Sequence, residues 1–233
     1  MTTNDLEILH SPSQWRQISD ERLLTSACAV IDVIRATSTI ATALANGAPG
    51  VRPVAKLEEA FALKERNPAS LLAGERGGQM LPGFDLGNSP EDFTPERVQG
   101  RPVILTTTNG TQALAACSGA RAVVTASLLQ VTAVATRLRE LGPPWIVICA
   151  GCNGEFGMDD AIVAGALAEA LGQDHAFVHL YRSVRNELAA ALLGSAAGQE
   201  LVKVGLERDI PFCANVDLYS VVPTLGDDGV LRK

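Results

Sequence analysis

The stretch that most constrains the fold is residues 29–48, which read AVIDVIRATSTIATALANGA. Ala29–Val33 is a short apolar run rich in β-branched residues, a pattern typical of a strand buried on both faces. From Thr37 the residues become small and compatible with a helix, and the pattern closes at Asn46-Gly47, a common helix end. A buried strand that leads directly into a helix is the building block of α/β folds.

Polar residues lie between this predicted strand and helix. They comprise one carboxylate, one guanidinium and three hydroxyls: Asp32, Arg35, Thr37, Ser38 and Thr39. The free N–H groups and the positive dipole end of a helix favour an anion, so this turn could hold a metal-bound phosphate. A simpler interpretation stays open, in which the aspartate accepts backbone amides and the hydroxyls only cap the helix.

Size and charge exclude several classes of protein. The chain has 233 residues, of which 47% are hydrophobic, so it can bury a core without disulfides or structural metals. A net charge of −7 without any basic block argues against nucleic acid as the main partner. An anionic substrate would therefore need local arginines or a divalent cation. No apolar run resembles a signal peptide or a membrane span, so we expect a cytoplasmic protein that does not bind membranes.

The five cysteines form an odd and scattered set, which fits free thiols in a reducing compartment. Cys149 and Cys152 form a C-x-x-C pair after a predicted strand, where a thioredoxin-like redox pair would lie. A dithiol oxidoreductase is therefore one alternative, although Cys149 has the character of the last buried strand residue. No second C-x-x-C exists to complete a zinc site.

The order of predicted elements repeats along the chain. Residues 27–98 and residues 99–172 each read strand, helix, strand, helix, strand, and a shift of 72 residues places Thr39 on Thr111 and Gly47 on Gly119. We interpret this as an internal duplication of two βαβαβ units within one compact domain spanning residues 1–233. The predicted fold is a three-layer αβα arrangement with a mostly parallel or mixed sheet.

The elements on which this interpretation depends can be stated individually. The predicted strands are Leu6–His10, Ala29–Val33, Val51–Val54, Leu71–Ala73, Val103–Thr106, Ala122–Thr125 and Ile146–Cys149. The predicted helices are the one beginning near Thr37, then Lys56–Arg66, Gln112–Cys117, a helix opening at the Ser127/Gln130 capping box and ending at Leu141, and Ala161–Leu171.

The C-terminal segment, residues 173–233, gives a weaker pattern. Phe177-Val178 reads as part of a strand, so His175 and His179 are not expected to form a metal pair. Two helices follow, at Ser183–Leu193 and Ser195–Val204, and Val216–Val222 could be a strand or a helix.

Four polar loops follow the predicted parallel strands: 32–39, 74–78, 106–111 and 151–160. Ligands of parallel sheets bind outside the carboxyl ends of the strands. We therefore expect these loops to converge on one site, although they are distant in sequence.

Two of these loops suggest anion binding. The backbone amides of Thr107–Thr111 could hold phosphate oxygens, although the same residues could form only a helix cap. The loop is not a P-loop, because the required lysine and spacing are absent. In the loop 74–78, Glu75 could be a metal ligand or general base, and Arg76 could hold an oxyanion. The alternative is a surface turn with a weak ion pair.

The fourth loop ends in two acids, Asp159 and Asp160, at the start of the predicted helix. Acidic residues stabilise a first helical turn, so capping alone would justify them. Successive helix positions point about 100° apart, so only one of the two is expected to face a site.

With these residues assembled, the chain resembles the 2-phosphosulfolactate phosphatase family. The resemblance rests on four segments in order: Asp32–Thr39, Gly74–Gly78, Gly83–Pro90 and Thr106–Thr111. Cys149-Ala150-Gly151 and Asp209 with Val222-Pro223 are consistent with it. The resemblance implies a Mg²⁺-dependent phosphatase that removes phosphate from 2-phospho-3-sulfolactate, a step toward coenzyme M.

The resemblance and the residues together give a predicted site. Mg²⁺ is expected to bind oxygen donors from Asp32, Glu75 and one of Asp159 and Asp160. Catalysis is assigned to Asp32, Glu75 and Arg35. The predicted contacts with the phosphate, sulfonate and carboxylate groups are Arg35, Thr37, Ser38, Arg76, Thr107, Thr108, Asn109, Gly110 and Thr111.

Two questions stay open at this point. Asp32 could be a metal ligand or a phosphorylated nucleophile; the D-x-D pattern of haloacid-dehalogenase-type phosphatases is absent, since Ile34 occupies the second position, which favours metal-activated water. The chain could also be a non-catalytic binder of an anionic phosphorylated metabolite. A homo-oligomer is possible.

Overall fold

The computed structural model describes residues 5–233 and confirms the α/β class. Within that range, helices cover both faces of a ten-stranded mixed sheet, as in a three-layer αβα fold. The strands are β1 Leu6–Leu9, β2 Ala27–Ile31, β3 Val51–Pro53, β4 Leu71–Arg76, β5 Gln79–Met80, β6 Val103–Thr106, β7 Ala122–Ala126, β8 Trp145–Cys149, β9 Thr224–Leu225 and β10 Leu231–Arg232.

Short helices occupy most of the connections and the C-terminal segment. The helices are α1 Pro12–Trp15, α2 Asp20–Thr25, α3 Ala36–Ala45, α4 Leu57–Arg66, α5 Pro95–Val98, α6 Gly110–Ala116, α7 Val131–Leu141, α8 Met158–Leu171, α9 Ala176–Val184, α10 Leu188–Leu193, α11 Ala196–Lys203 and α12 Asp209–Cys213. Within residues 5–233, none of these helices is long and apolar enough to cross a membrane.

The sheet consists of two parallel blocks joined by short antiparallel strands. Its order is β1-β8-β2-β7-β9-β10-β3-β6-β4-β5. The first strand of each predicted unit lies between the two later strands of the other unit, because β2 is flanked by β8 and β7, and β6 by β3 and β4. The first strand of each unit is therefore paired with two parallel strands of the other unit. The internal duplication itself stays a prediction.

The two blocks run in opposite directions along the sheet, because three successive antiparallel pairings separate β7 from β3. In a flat sheet the carboxyl ends of β2 and β6 would lie at opposite edges. The turns after these strands nevertheless touch, since a Cβ added to Gly110 would lie 2.7 Å from Asp32 Oδ2. The sheet therefore bends between the blocks and brings the two turns together.

Strand β2 is apolar throughout because it faces two cores. Ala29 and Ile31 belong to the core formed with α7 and α8, whereas Cys28 and Val30 belong to the core that contains Ile40 of α3. Burial of both faces explains why the sequence shows a continuous apolar run instead of an alternating pattern. The turn after Ile31 therefore begins at the carboxyl end of a strand that is buried on both faces.

The C-terminal predictions need correction. The strand at Phe177-Val178 is wrong, because α9 spans Ala176–Val184 and packs Phe177, Leu180 and Val184 against the core at helical spacing. The helix predicted over Ser183–Leu193 is divided between the end of α9 and α10. Val216–Val222 forms neither a strand nor a helix. Its backbone instead donates hydrogen bonds to Leu128 and Leu129 oxygens.

Candidate active site

The four polar loops meet in one pocket of about 200 Å³. The residues that these loops contribute to its lining are Asp32, Ile34, Arg35, Glu75, Gly77, Gly78, Thr108, Asn109, Cys152 and Asn153. Asn88 and three residues of α11 complete the wall. The bend in the sheet thus gathers loops that lie more than a hundred residues apart in the sequence.

Asp32 follows β2 directly and is 8% exposed. Its Oδ1 accepts a hydrogen bond of 3.3 Å from the Ala36 amide at the start of α3. Burial raises the pKa of Asp32, the amides of Ala36 and Gly110 lower it, and the charges of Glu75 and Asp159 raise it, which brings it to about 7. The pocket therefore collects negative charge that a cation would relieve.

The hydroxyls of Thr37 and Ser38 do not line the pocket. Both residues are fully buried, and their hydroxyls donate to the backbone oxygens of Asp32 and Val33 at 2.9 and 2.8 Å. The geometry gives them a role in fixing the turn, so it does not support the predicted substrate contact.

Glu75 joins two of the loops at the pocket. Its Oε1 accepts from the Thr108 amide at 2.8 Å, and its Oε2 accepts from the Gly78 amide at 2.8 Å. The Thr108 hydroxyl donates to the same carboxylate at 3.0 Å. Glu75 lines the pocket and also orders the loop that would face a phosphate.

Arg76 does not line the pocket. Its guanidinium donates to the Glu75 backbone oxygen at 2.6 Å and to the Thr106 hydroxyl at 3.0 Å. Strand residues alternate in direction, so consecutive residues Glu75 and Arg76 cannot both point into the same site. The predicted anion contact through Arg76 is not supported by this arrangement.

Asp159 and Asp160 have different surroundings. Asp160 accepts from the Val33 amide through Oδ1 and from the Gly151 amide through Oδ2, both at 2.9 Å. Asp159 Oδ1 is buried and has no hydrogen-bond partner among the described residues. Burial raises the pKa of Asp159 to about 6, and burial with the charges of Asp159 and Asp32 holds the pKa of Asp160 well above its usual range. Asp160 therefore joins two loops, whereas Asp159 has an unpartnered oxygen, and neither residue lines the pocket.

In the loop after β6, Thr108 and Asn109 line the pocket. Thr107 and Thr111 are buried and bonded to each other, with the Thr111 hydroxyl donating to the Thr107 backbone oxygen at 2.9 Å. Gly110 opens α6 against the β2–α3 turn, and a Cβ here would also lie 2.7 Å from the Ala36 Cβ. Only the absence of a side chain lets the two turns approach this closely.

Arg35 is held by groups that sequence reasoning did not assign to the site. Its Nη1 donates to Asp209 Oδ2 at 2.5 Å, and its Nη2 donates to the Gly78 backbone oxygen at 2.6 Å. Asp209 and Asn88 were missed as site residues. Both fall in segments that carry the family resemblance, but no local pattern gave either residue a role.

The cysteines do not support redox chemistry. All five are free, and Cys149 and Cys152 are buried. Burial holds the pKa of Cys149 well above its usual range, and burial with nearby acidic charges raises the pKa of Cys152 to about 11. A reactive cysteine needs a lowered pKa, so the dithiol alternative is not supported.

The oxygen atoms in and near the pocket can be compared with the ligands that a magnesium ion prefers. Within residues 5–233, no three His, Cys, Asp or Glu side chains are already arranged to hold a metal. The chemistry of the donors nevertheless fits, because Asp159 Oδ1 and Asn88 Oδ1 are buried oxygens without partners, and Asp32 faces the same pocket as Asn88. Mg²⁺ prefers oxygen and keeps several waters, so it does not need a closed cage of side chains.

Comparison with known proteins identifies the family of the chain. The model of the 2-phosphosulpholactate phosphatase family matches residues 14–228. A probable 2-phosphosulfolactate phosphatase of Caldanaerobacter subterraneus subsp. tengcongensis is 38% identical over 96% of this chain and 97% of its own length. Proteins of the same description from Symbiobacterium thermophilum and Synechococcus sp. (strain JA-2-3B'a(2-13)) are 40% and 43% identical, covering 91% and 88% of this chain and 96% and 91% of their own lengths. The chain therefore belongs to the 2-phosphosulfolactate phosphatase family of phosphoric monoester hydrolases.

Proposed function

We propose that this chain hydrolyses the phosphate monoester of 2-phospho-3-sulfolactate to 3-sulfolactate and phosphate, with Mg²⁺ as its cofactor. The observation that carries the proposal is a pocket lined by the carboxylates of Asp32 and Glu75, by Asn88 with its unpartnered oxygen, and by one arginine. A substrate with three acidic groups would be repelled by Asp32 and Glu75 alone. A divalent cation would reverse that repulsion.

Asp32, Asp159 and Asn88 are the residues we propose to hold the metal. A divalent cation in this position neutralises phosphoryl oxygens and lowers the pKa of a water molecule. Asp160 stays in its loop-joining role because both of its oxygens already accept main-chain hydrogen bonds. This assignment replaces the two open candidates of the fourth loop with one, Asp159.

The protein groups around the metal would orient the reactants. Glu75 fixes the loop that presents Thr108 and Asn109 to the pocket, which places polar groups of that loop near the phosphate. Arg35 would hold an acidic group that is not transferred. Asp32, as a proposed metal ligand that lines the pocket, would orient the attacking water.

The substrate assignment is taken from the names of the relatives, each described as a probable 2-phosphosulfolactate phosphatase. Its product, 3-sulfolactate, would place the chain in biosynthesis of the coenzyme M type. We further propose that the enzyme acts in the cytoplasm, which the five free cysteines support.

The test is release of phosphate from 2-phospho-3-sulfolactate, measured with Mg²⁺ and with EDTA. We expect turnover that EDTA abolishes and Mg²⁺ restores. Turnover that persists at full rate in EDTA would contradict the metal. Tight binding of the substrate without turnover, across several divalent metals, would instead favour a non-catalytic binder of an anionic metabolite.

A further inference from the structure

The C-terminal segment supplies a wall of the pocket that lies outside both predicted units. Ala197, Glu200 and Leu201 of α11 line the pocket. Asp209, the first residue of α12, reaches the arginine of the pocket. Because this segment contacts the ligand space directly, its residues can influence which substrate is accepted.

Asp209 is the centre of a buried hydrogen-bond network. The side chain has no exposed surface, and its Oδ2 accepts from Arg35 Nη1 at 2.5 Å. Its Oδ1 accepts from the Ser89 hydroxyl, also at 2.5 Å. The Gly78 backbone oxygen accepts from Arg35 Nη2 at 2.6 Å. Groups from α12, the loop before Pro90 and the β4–β5 turn thus fix the guanidinium in one orientation.

Burial makes this orientation depend on Asp209. Arg35 is 3% exposed, and a buried guanidinium without a carboxylate partner is strongly disfavoured. The two bonds described for Arg35 use two of its five N–H donors, which leaves others for a ligand. Among the described residues that line the pocket, Arg35 is the only basic one.

We propose that Asp209 is a positioning residue that holds Arg35 ready for an acidic group of the substrate that is not transferred. This inference rests on the proposed function. The carboxylates and their cation would take the phosphoryl group, so the remaining sulfonate or carboxylate has Arg35 as its basic partner. The pocket is thereby selective for phosphorylated hydroxy acids that carry an additional anionic group, since a planar guanidinium binds such groups through paired hydrogen bonds.

The experiment compares Asp209→Asn with the wild type, using the KM for 2-phospho-3-sulfolactate and the inhibition constant of inorganic phosphate. Phosphate reports on the metal side of the pocket alone. We expect the KM to rise at least about tenfold, as for loss of a charge-assisted contact, while the phosphate inhibition constant changes less than about twofold. A merely structural role would move both constants together.

Ser89→Ala provides a milder change if Asp209→Asn fails to fold. It removes one hydrogen bond to Asp209 and leaves the Arg35 ion pair in place. We expect a rise in KM of about two- to fivefold with the phosphate constant unchanged. The matched control is Asp228→Asn, whose exposed carboxylate pairs with Arg232 at 2.6 Å away from the pocket and should leave both constants unchanged.

The outcomes distinguish failure of the proposed function from failure of the role proposed for Asp209. If the wild type releases no phosphate from 2-phospho-3-sulfolactate, the proposed function is contradicted, and this inference with it. If the wild type is active but both constants move together, or the KM stays unchanged in every folded variant, the role of Asp209 alone is overturned.

Discussion

The turn between β2 and α3 and the turn between β6 and α6 share a scaffold but differ in chemistry. In the first, the Thr37 hydroxyl donates to the Asp32 backbone oxygen, and in the second the Thr111 hydroxyl donates to that of Thr107, both at 2.9 Å. The Asp32 and Thr107 amides donate back to these hydroxyls at 3.2 and 3.4 Å. The same position therefore carries a carboxylate in one turn and a hydroxyl in the other.

This difference indicates which residues of the two turns have a structural role and which could take part in binding. The hydrogen bonds of Thr37 and Thr111 belong to the scaffold, because they are common to both turns. The carboxylate of Asp32 and the guanidinium of Arg35 are particular to the first turn and both line the pocket. The second turn contributes Gly110, whose missing side chain lets the first turn approach.

The largest expected effect on activity comes from replacing the carboxylate of Asp32, which distinguishes the β2–α3 turn from the β6–α6 turn. Asp32→Asn should lower kcat by roughly 10²–10⁴-fold, because it removes the proposed metal ligand and the group proposed to orient water. Thr107→Val, the matched change in the other turn, should cost about 1 kcal/mol of stability and far less activity. The kcat of both variants is measured by phosphate release, and their stability is measured by thermal unfolding. Equal losses of kcat in the two variants would contradict the assignment of different roles to Asp32 and Thr107.

The pH dependence of stability sharpens the comparison next. The pKa of Asp32 is raised from 3.8 to about 7 in the folded protein, so folding takes up a proton between these values. This contribution to stability is complete below about pH 4 and is lost as the pH rises to about 7. It amounts to a few kcal/mol, at about 1.36 kcal/mol per pKa unit.

The measurement is thermal unfolding in EDTA from pH 4 to 8. Wild-type stability should fall over this range, and Asp32→Asn should show a weaker fall. Thr107→Val, which changes no ionisable group, should keep the wild-type slope. A slope unaffected by Asp32→Asn would show that the carboxyl at this position is not the one that takes up the proton.

The third prediction concerns the two acids that face the first turn. Asp160→Asn should destabilise the protein by about 1–3 kcal/mol, because its amide group would oppose one of the two main-chain donors. Asp159→Asn should cost less stability in EDTA than Asp160→Asn, since Asp159 Oδ1 has no partner to lose among residues 5–233. Denaturant unfolding of both variants distinguishes the roles, and the reverse order of stabilities would exchange them.

A smaller effect is expected where the turns meet. Gly110→Ala would bring a Cβ within 2.7 Å of both Asp32 Oδ2 and the Ala36 Cβ, so one of the turns must shift. We expect a loss of about 1–3 kcal/mol, as for overpacking in a core, and a measurable loss of activity. Gly194→Ala, where the nearest atom would lie at an ordinary 3.5 Å, is the control for unfolding and turnover. Wild-type behaviour of Gly110→Ala would show that the turns do not need their close approach.

Local sequence patterns predicted the strand, turn and helix around Asp32, because the apolar run and the small residues after it are local signals. The expectation that only one of Asp159 and Asp160 faces the site stays a prediction, because neither residue lines the pocket. The hydrogen bonds of the two turns relate Thr37 to Thr111 and Asp32 to Thr107, which differs from the shift of 72 residues in the proposed repeat, and that repeat stays a prediction. Small residues recur too often to set such a register.

The wall formed by the C-terminal segment could not be read from local patterns. Asp209 and Arg35 are 174 residues apart, and their contact depends on how α12 packs beside the β2–α3 turn. The direction of the Arg76 side chain could not be predicted either, because the predicted strand ended at Ala73. In the structure β4 continues to Arg76, and consecutive side chains of a strand point to opposite faces. The direction of the two blocks depends on β9 and β10, which were too short to recognise.

The central claim is that the first turn supplies a ligand of the cation, whereas the second turn supplies none. Titration of Mn²⁺, followed by electron paramagnetic resonance, tests this directly on the wild type, Asp32→Asn and Thr107→Val. The account predicts tight Mn²⁺ binding by the wild type and by Thr107→Val, with affinity reduced at least about tenfold in Asp32→Asn. Equal Mn²⁺ affinity in all three proteins would contradict it.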